Sequence, residues 1–169
     1  ILPGQSRELL KALHILTRDG KLNQDSRRKL KQVHHLVNFI APLIDDCIDA
    51  RGDVSIVDHG AGKSYLGFIL HDLCLRTRSI GSVHGIEVRE ELVTRSRTLA
   101  DTLGFANMHF HHLTVEDAIA APTLPAEVDI VTALHACDTA TDDAIRFALA
   151  RRARHIVLVP CCQAEVGAT

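Results

Sequence analysis

Tryptophan is absent from this 169-residue chain, tyrosine occurs once and phenylalanine five times. A protein that grips single strands mainly by stacking bases on aromatic rings would carry more. No apolar run approaches the roughly 20 residues of a membrane span. The N-terminal stretch, with Arg7 and Lys11 and no long apolar run after them, does not read as a signal peptide. The five cysteines (Cys47, Cys74, Cys137, Cys161 and Cys162) are odd in number and contain no C-x-x-C pair. That argues against a disulfide framework and a zinc finger, and makes a reducing, cytoplasmic setting the expectation. Repeats and low-complexity tracts are also missing. What is present is ordinary for one globular domain: 46% hydrophobic and 24% charged residues.

The net charge of −2 is unevenly spread. Residues 1–35 hold eight lysines and arginines against Glu8, Asp19 and Asp25, so this arm carries +5 and the remaining residues −7. A basic arm on an acidic body fits a nucleic-acid partner, and equally a solvated helix face.

Leucines 9, 10, 13 and 16 predict a helix over 5–17. A second helix is expected over 24–49, kinked or split by Pro42. Residues 1–50 thus form an N-terminal helical segment of the same domain, and residues 51–169 its core. From residue 53 the texture alternates. Strands are expected at 54–57, 82–86, 107–112, 128–134 and 155–159, with helices at 64–76, 89–103 and 139–150. Five strands joined by helical crossovers predict an α/β fold, a parallel doubly wound sheet of Rossmann-like order. Ligands in such sheets bind beyond the carboxyl ends of the strands.

The first strand runs into Asp58-His59-Gly60-Ala61-Gly62-Lys63-Ser64-Tyr65. A phosphate-binding P-loop needs glycine where this chain has Val57, and a dinucleotide fingerprint needs a third glycine where it has Tyr65. What remains is acidic-x-Gly-x-Gly-x-small, the S-adenosylmethionine (SAM) loop of class I methyltransferases. Glu87 closes the second strand, 25 residues after Gly62. A carboxylate there can accept from both hydroxyls of a ribose, whether of SAM or of NAD. After the third strand, Thr114 and Val115 are candidates to line an adenine, with Asp117 as the alternate; Glu116 and Asp117 also suit a helix N-terminus. The expected cofactor residues are therefore Asp58, His59, Gly60, Gly62, Lys63, Ser64, Glu87, Val88, Thr114, Val115 and Asp117.

The fourth strand leads into His135-Ala-Cys137-Asp138-x-Ala-Thr141-Asp142, and the fifth into Pro160-Cys161-Cys162. With the glycine loop, these residues resemble a clade of class I SAM-dependent methyltransferase domains that is related to eukaryotic tRNA ribose methyltransferases. The stretch Lys29-Leu-Lys31-Gln32 is similar to the Lys-x-x-(Glu/Gln) helix before the loop in that clade. The resemblance spans residues 28–163 and implies a class I fold, SAM as cofactor and an RNA acceptor, tRNA first. Asp138 stands where the ribose enzymes have glycine, and Gln163 where they have histidine. The final two strands of that fold are expected to be missing from this chain.

A sulfonium methyl is already electrophilic, so an enzyme must mainly align the acceptor and exclude water. A ribose hydroxyl needs a general base, for which His135 and Asp138 are candidates beside Cys137. A pyrimidine carbon needs a thiol nucleophile, for which Cys161 and Cys162 are candidates. Buried packing is the competing reading of these two cysteines. A metal held by His135, Cys137, Cys161 and Cys162 lacks ligand-pair spacing, and none is expected. A non-catalytic binding scaffold and a protein or small-molecule methyltransferase are the rival readings.

Overall fold

The computed structural model describes residues 1–136 and 139–160, apart from the side chains of 135, 136 and 160. Five strands form one parallel sheet in the order β3-β2-β1-β4-β5. They are β1 (Ser55–His59), β2 (Ser82–Glu87), β3 (Met108–His112), β4 (Ile130–Ala136) and β5 (His155–Pro160). The order reverses between β1 and β4, which lie side by side in the sheet's interior. That makes the carboxyl end of β1 the switch point where such sheets bind ligands. At the opposite end, the Asp129 carboxylate accepts from the Ser55 N–H at 2.8 Å and ties the start of β1 to β4.

One face of the sheet carries the larger core. Leu66, Phe68, Ile69 and Leu70 of α3 (Tyr65–Leu70) are buried here with Val37, Ile40 and Ile44 of α2 (Gln24–Arg51). The expected break at Pro42 does not split α2. Its buried residues, from Leu30 to Cys47, run past the proline on both sides, and this packing outweighs the roughly 3 kcal/mol a helical proline costs. The first helix is shorter than expected: α1 spans Arg7–Ala12, because His14 takes a left-handed backbone at φ 57°. Leu13, Ile15 and Leu16 are still buried, but on an irregular turn. Below α3 the chain makes one π-helical turn over His71–Leu75, where Asp72 accepts from the Ser6 N–H at 2.8 Å and so pins α1.

The other face packs against α5 (Val115–Ala120) and α6 (Thr139–Ala150) around Val57, Ile86, Val131 and Phe147. The buried Arg151 clamps this side. Its guanidinium donates to the carbonyls of Ala118, Ala121, Leu124 and Pro125. At the β3 border, Arg97 of α4 (Glu90–Leu103) aims both Nε and Nη2 at the Phe110 carbonyl, at 3.0 and 2.7 Å. Among the described residues no helix is long and apolar enough to cross a membrane.

Candidate functional site

The loop between β1 and α3 turns sharply at Gly60 and Gly62, both left-handed at φ 64° and 59°. A side chain on Gly60 would meet no atom within 4 Å. It would project into open space where two cavities meet, because Gly60 lines both. The outer cavity, about 280 Å³, is walled by His59, Ile86, Glu87, Val88, Thr114 and Val115, among others. The inner cavity, about 340 Å³, has Asp58, Gly62, Lys63 and Leu134 in its wall together with Lys29 and Gln32 of α2.

Glu87, at the end of β2, is buried and accepts four hydrogen bonds. They come from the Gly62 N–H at 3.0 Å, the Arg89 N–H at 2.9 Å, and Arg89 Nε and Nη2 at 3.1 Å each. Burial pushes its pKa up, but the donors of Arg89 and Gly62 prevail and hold it below the usual carboxylate range. The exposed guanidinium of Arg89 is the exchangeable partner. The two backbone donors fix the carboxylate whichever group faces it.

Asp58 behaves oppositely. It is buried and accepts a hydrogen bond from the Thr132 hydroxyl at 2.9 Å. Burial raises its pKa to about 7, with the Thr132 bond opposing. Gly67 of α3 faces it, its Cβ position 4.0 Å from Oδ2. The two carboxylates at the switch point thus differ: one is held as an anion, the other is poised between its two forms near neutral pH.

His59 packs its ring on Phe147 at 6.0 Å between centroids, and its buried Nε2 has no hydrogen-bond partner among the described residues. Burial lowers its pKa, against the attraction of Asp143 and Glu87. Lys29 sets its ammonium 4.2 Å over the Tyr65 ring, which joins α2 to the loop.

The structure brings most of the expected cofactor residues together. Asp58, Gly62 and Lys63 line the inner cavity, His59, Glu87, Val88, Thr114 and Val115 the outer, and Gly60 both. Ser64 is in neither wall; it lies buried beneath the loop, 3.4 Å from the Ser96 hydroxyl. On α5, Glu116 lines the outer cavity, whereas Asp117 does not; the Asp117 N–H donates to the capping Thr114 hydroxyl. Cys137, Asp138, Cys161, Cys162 and the side chain of His135 lie outside the described residues. Arg89 and Thr132 went unnoticed in the sequence. Arg89 offered a signal in being two residues from Glu87; Thr132 offered none, because only the β1–β4 register sets it beside Asp58.

An S-adenosyl ligand fits this arrangement. Its ribose diol needs an anionic acceptor such as Glu87, its adenine an apolar slot such as Ile86, Val88 and Val115 provide, and its backbone-hugging segment the side-chain-free Gly60.

The sequence pattern of a family described as a methyltransferase domain matches residues 28–169. A glutathione S-transferase C-terminal domain-containing protein of Bos taurus is 30% identical over 146 residues, 86% of this chain and 20% of that protein. The Homo sapiens protein of the same description is 29% identical over the same shares. The chain thus spans about a fifth of the length of the curated relatives it matches. Among solved structures, Bacillus subtilis YcgJ superposes with a TM-score of 0.54 at 20% identity, covering 75% of this chain and 50% of that one. An rRNA methylase from Streptococcus thermophilus superposes at 0.53 with 18% identity, covering 70% and 63%. At such identities the likeness is one of fold.

Proposed function

The chain belongs to the methyltransferase-domain family that its residues 28–169 match, and from that premise we propose that it methylates RNA, with tRNA the first class to test. It is a SAM-dependent enzyme of the class I α/β fold. When bound, SAM supplies an electrophilic methyl group. Glu87 accepts from the ribose, with Arg89 yielding its place, while Val88, Thr114 and Val115 border the adenine. Asp58, Gly62 and Lys63 border the remainder in the inner cavity. Leu134 of β4 stands in the same wall, and in sequence it directly precedes the motif with His135, Cys137 and Asp138. In this reading His135 and Asp138 hold or take the acceptor's proton, and Cys161 and Cys162 are the thiol candidates should the acceptor be a pyrimidine carbon.

The observation that carries the RNA acceptor is the solvent face of α2. Arg27, Arg28 and Lys31 are exposed there, and none has an ion-pair partner among the described residues. Their neighbours Lys29 and Gln32 line the cofactor cavity itself. This neighbourhood supports the reading that a polyanion held on this face lies beside the cofactor cavity. The proposal carries with it a cytoplasmic setting.

The test is methyl transfer from labelled SAM into total RNA and into protein extract, with RNA binding followed against salt. Reversing Arg27, Arg28 and Lys31 to glutamate is expected to weaken binding and to flatten the salt slope by roughly two, at about 0.7 per lost phosphate contact. An unchanged slope removes the arm from the site. Label entering protein and not RNA removes the RNA acceptor.

A further inference from the structure

A further cavity lies beside the inner half of the cofactor site. It measures about 370 Å³ and lies between the end of α1 and the length of α4. That is room for one small organic group, at the lower end of ligand-pocket sizes. Its apolar surface comes from Leu13, Leu92 and Leu99, and its cations are Lys63 and Arg95. No aspartate or glutamate lines it, in a protein with 21 of them. Among the described residues neither the Lys63 nor the Arg95 side chain has a hydrogen-bond or ion-pair partner. Both charges are therefore available to an anion.

Two of the polar groups that line the cavity have a definite sense. Thr98 spends its hydroxyl proton on the Thr94 carbonyl at 3.0 Å, and Thr102 spends its own on the Thr98 carbonyl at 2.8 Å. Their oxygens keep lone pairs and act toward a ligand as acceptors. Apolar lining, hydroxyl acceptors and two unpaired cations match a nucleobase with its amino group and its phosphate.

Position then selects the source. Lys63 and Tyr65 line both this cavity and the inner cofactor cavity, so the two share a wall. Tyr65 is in turn held under Lys29 of the basic α2 face. A strand lying along that face and reaching the methyl-transfer site has its next nucleotide beside Lys63.

We propose that the α1–α4 cavity is a nucleotide subsite, which holds a base flanking the methylated one and takes its phosphate on Lys63 and Arg95. The proposal rests on the RNA acceptor reading. It makes these groups positioning residues and selects against acceptors that lack a neighbouring nucleotide.

Two surface variants test it by different means. Arg95→Glu reverses one of the two lining charges. Ala12→Phe, at the exposed last residue of α1, fills the cavity without changing charge. Each is titrated with a short fluorescein-labelled single-stranded RNA, with adenosine 5′-monophosphate and, as a check on folding, with SAM. Both variants are expected to bind the RNA about tenfold more weakly, Arg95→Glu by losing a charge-assisted contact and Ala12→Phe by occupying the space of the base, with SAM affinity unchanged. The salt slope should fall for Arg95→Glu only. RNA affinity equal to wild type in both variants, while reversal of Arg28 and Lys31 weakens it, overturns the subsite and leaves the RNA reading standing. No RNA binding by the wild type overturns both. Adenosine monophosphate binding that Arg95→Glu abolishes, with RNA binding unaffected, overturns the subsite in favour of a site for free nucleotide.

Discussion

Substituting Asp58 by asparagine keeps the shape and the acceptor for Thr132 but removes the ionisable group. Asp58 has a folded pKa of about 7 against an ordinary 3.8, the consequence of burial. Between those values the unfolded chain has lost a proton that the folded chain keeps, so folding stability falls as pH rises. The fall is about 1.4 kcal/mol per pH unit from about pH 4 to about pH 7, on the order of 4 kcal/mol in all, and it stops above pH 7. The histidines work against it. Burial lowers the pKa of His59 and His111, and takes His71 and His84 down to about 4. Each therefore adds stability as pH climbs toward 6.5. The wild-type curve alone mixes these contributions, but subtracting the curve of Asp58→Asn cancels the histidines. Urea unfolding of both proteins without cofactor, at half-unit steps from pH 4.5 to pH 8.5, supplies the difference. The variant should gain on the wild type steadily up to about pH 7 and hold a constant lead beyond. In melting temperature each kcal/mol appears as roughly two to four degrees for a domain of this size. A difference that does not change with pH would refute the reasoning.

Glu87→Ala should reduce SAM affinity by at least tenfold in calorimetric titration, since the ribose loses charge-assisted acceptors worth about 1.5–3 kcal/mol each; affinity within twofold of wild type would remove Glu87 from the site. Arg151→Met leaves the carbonyls of Ala118, Ala121, Leu124 and Pro125 without their donor and should destabilise the domain by on the order of 3 kcal/mol in chemical denaturation. Because Arg151 also holds the end of α5, which presents Val115 to the outer cavity, the same variant should weaken SAM binding; unchanged stability would show that water replaces the guanidinium.

The parts of the site that the sequence discloses are those fixed by short-range geometry. Gly60 and Gly62 are readable because only a turn of left-handed residues leads this strand into this helix. Glu87 is readable because a β-α-β unit of this length returns its second strand end to the loop, and the Gly62 N–H does reach its carboxylate. Thr132 is 74 residues from Asp58, and nothing short of the strand register relates them. The α2 prolongation through Pro42 illustrates the same limit: local propensity argues for a break, and the buried face decides otherwise. The early stop of α1 is also tertiary in origin. Leu13 and Leu16 keep a helical spacing in sequence, but they are buried from an irregular turn. Lys29 and Gln32 stand out as part of a motif, whereas their place in the wall of the inner cavity follows from α2 packing on α3.

The Arg97 guanidinium gives the β3 border a stopper. A foreign strand adding there would have to pair with the outward carbonyl of Phe110, which already receives two charge-assisted bonds, and would first have to lift a cationic side chain from its path. Templated growth of the sheet from this side is thereby disfavoured, so copies of the domain can be held at high local concentration without zipping together along β3.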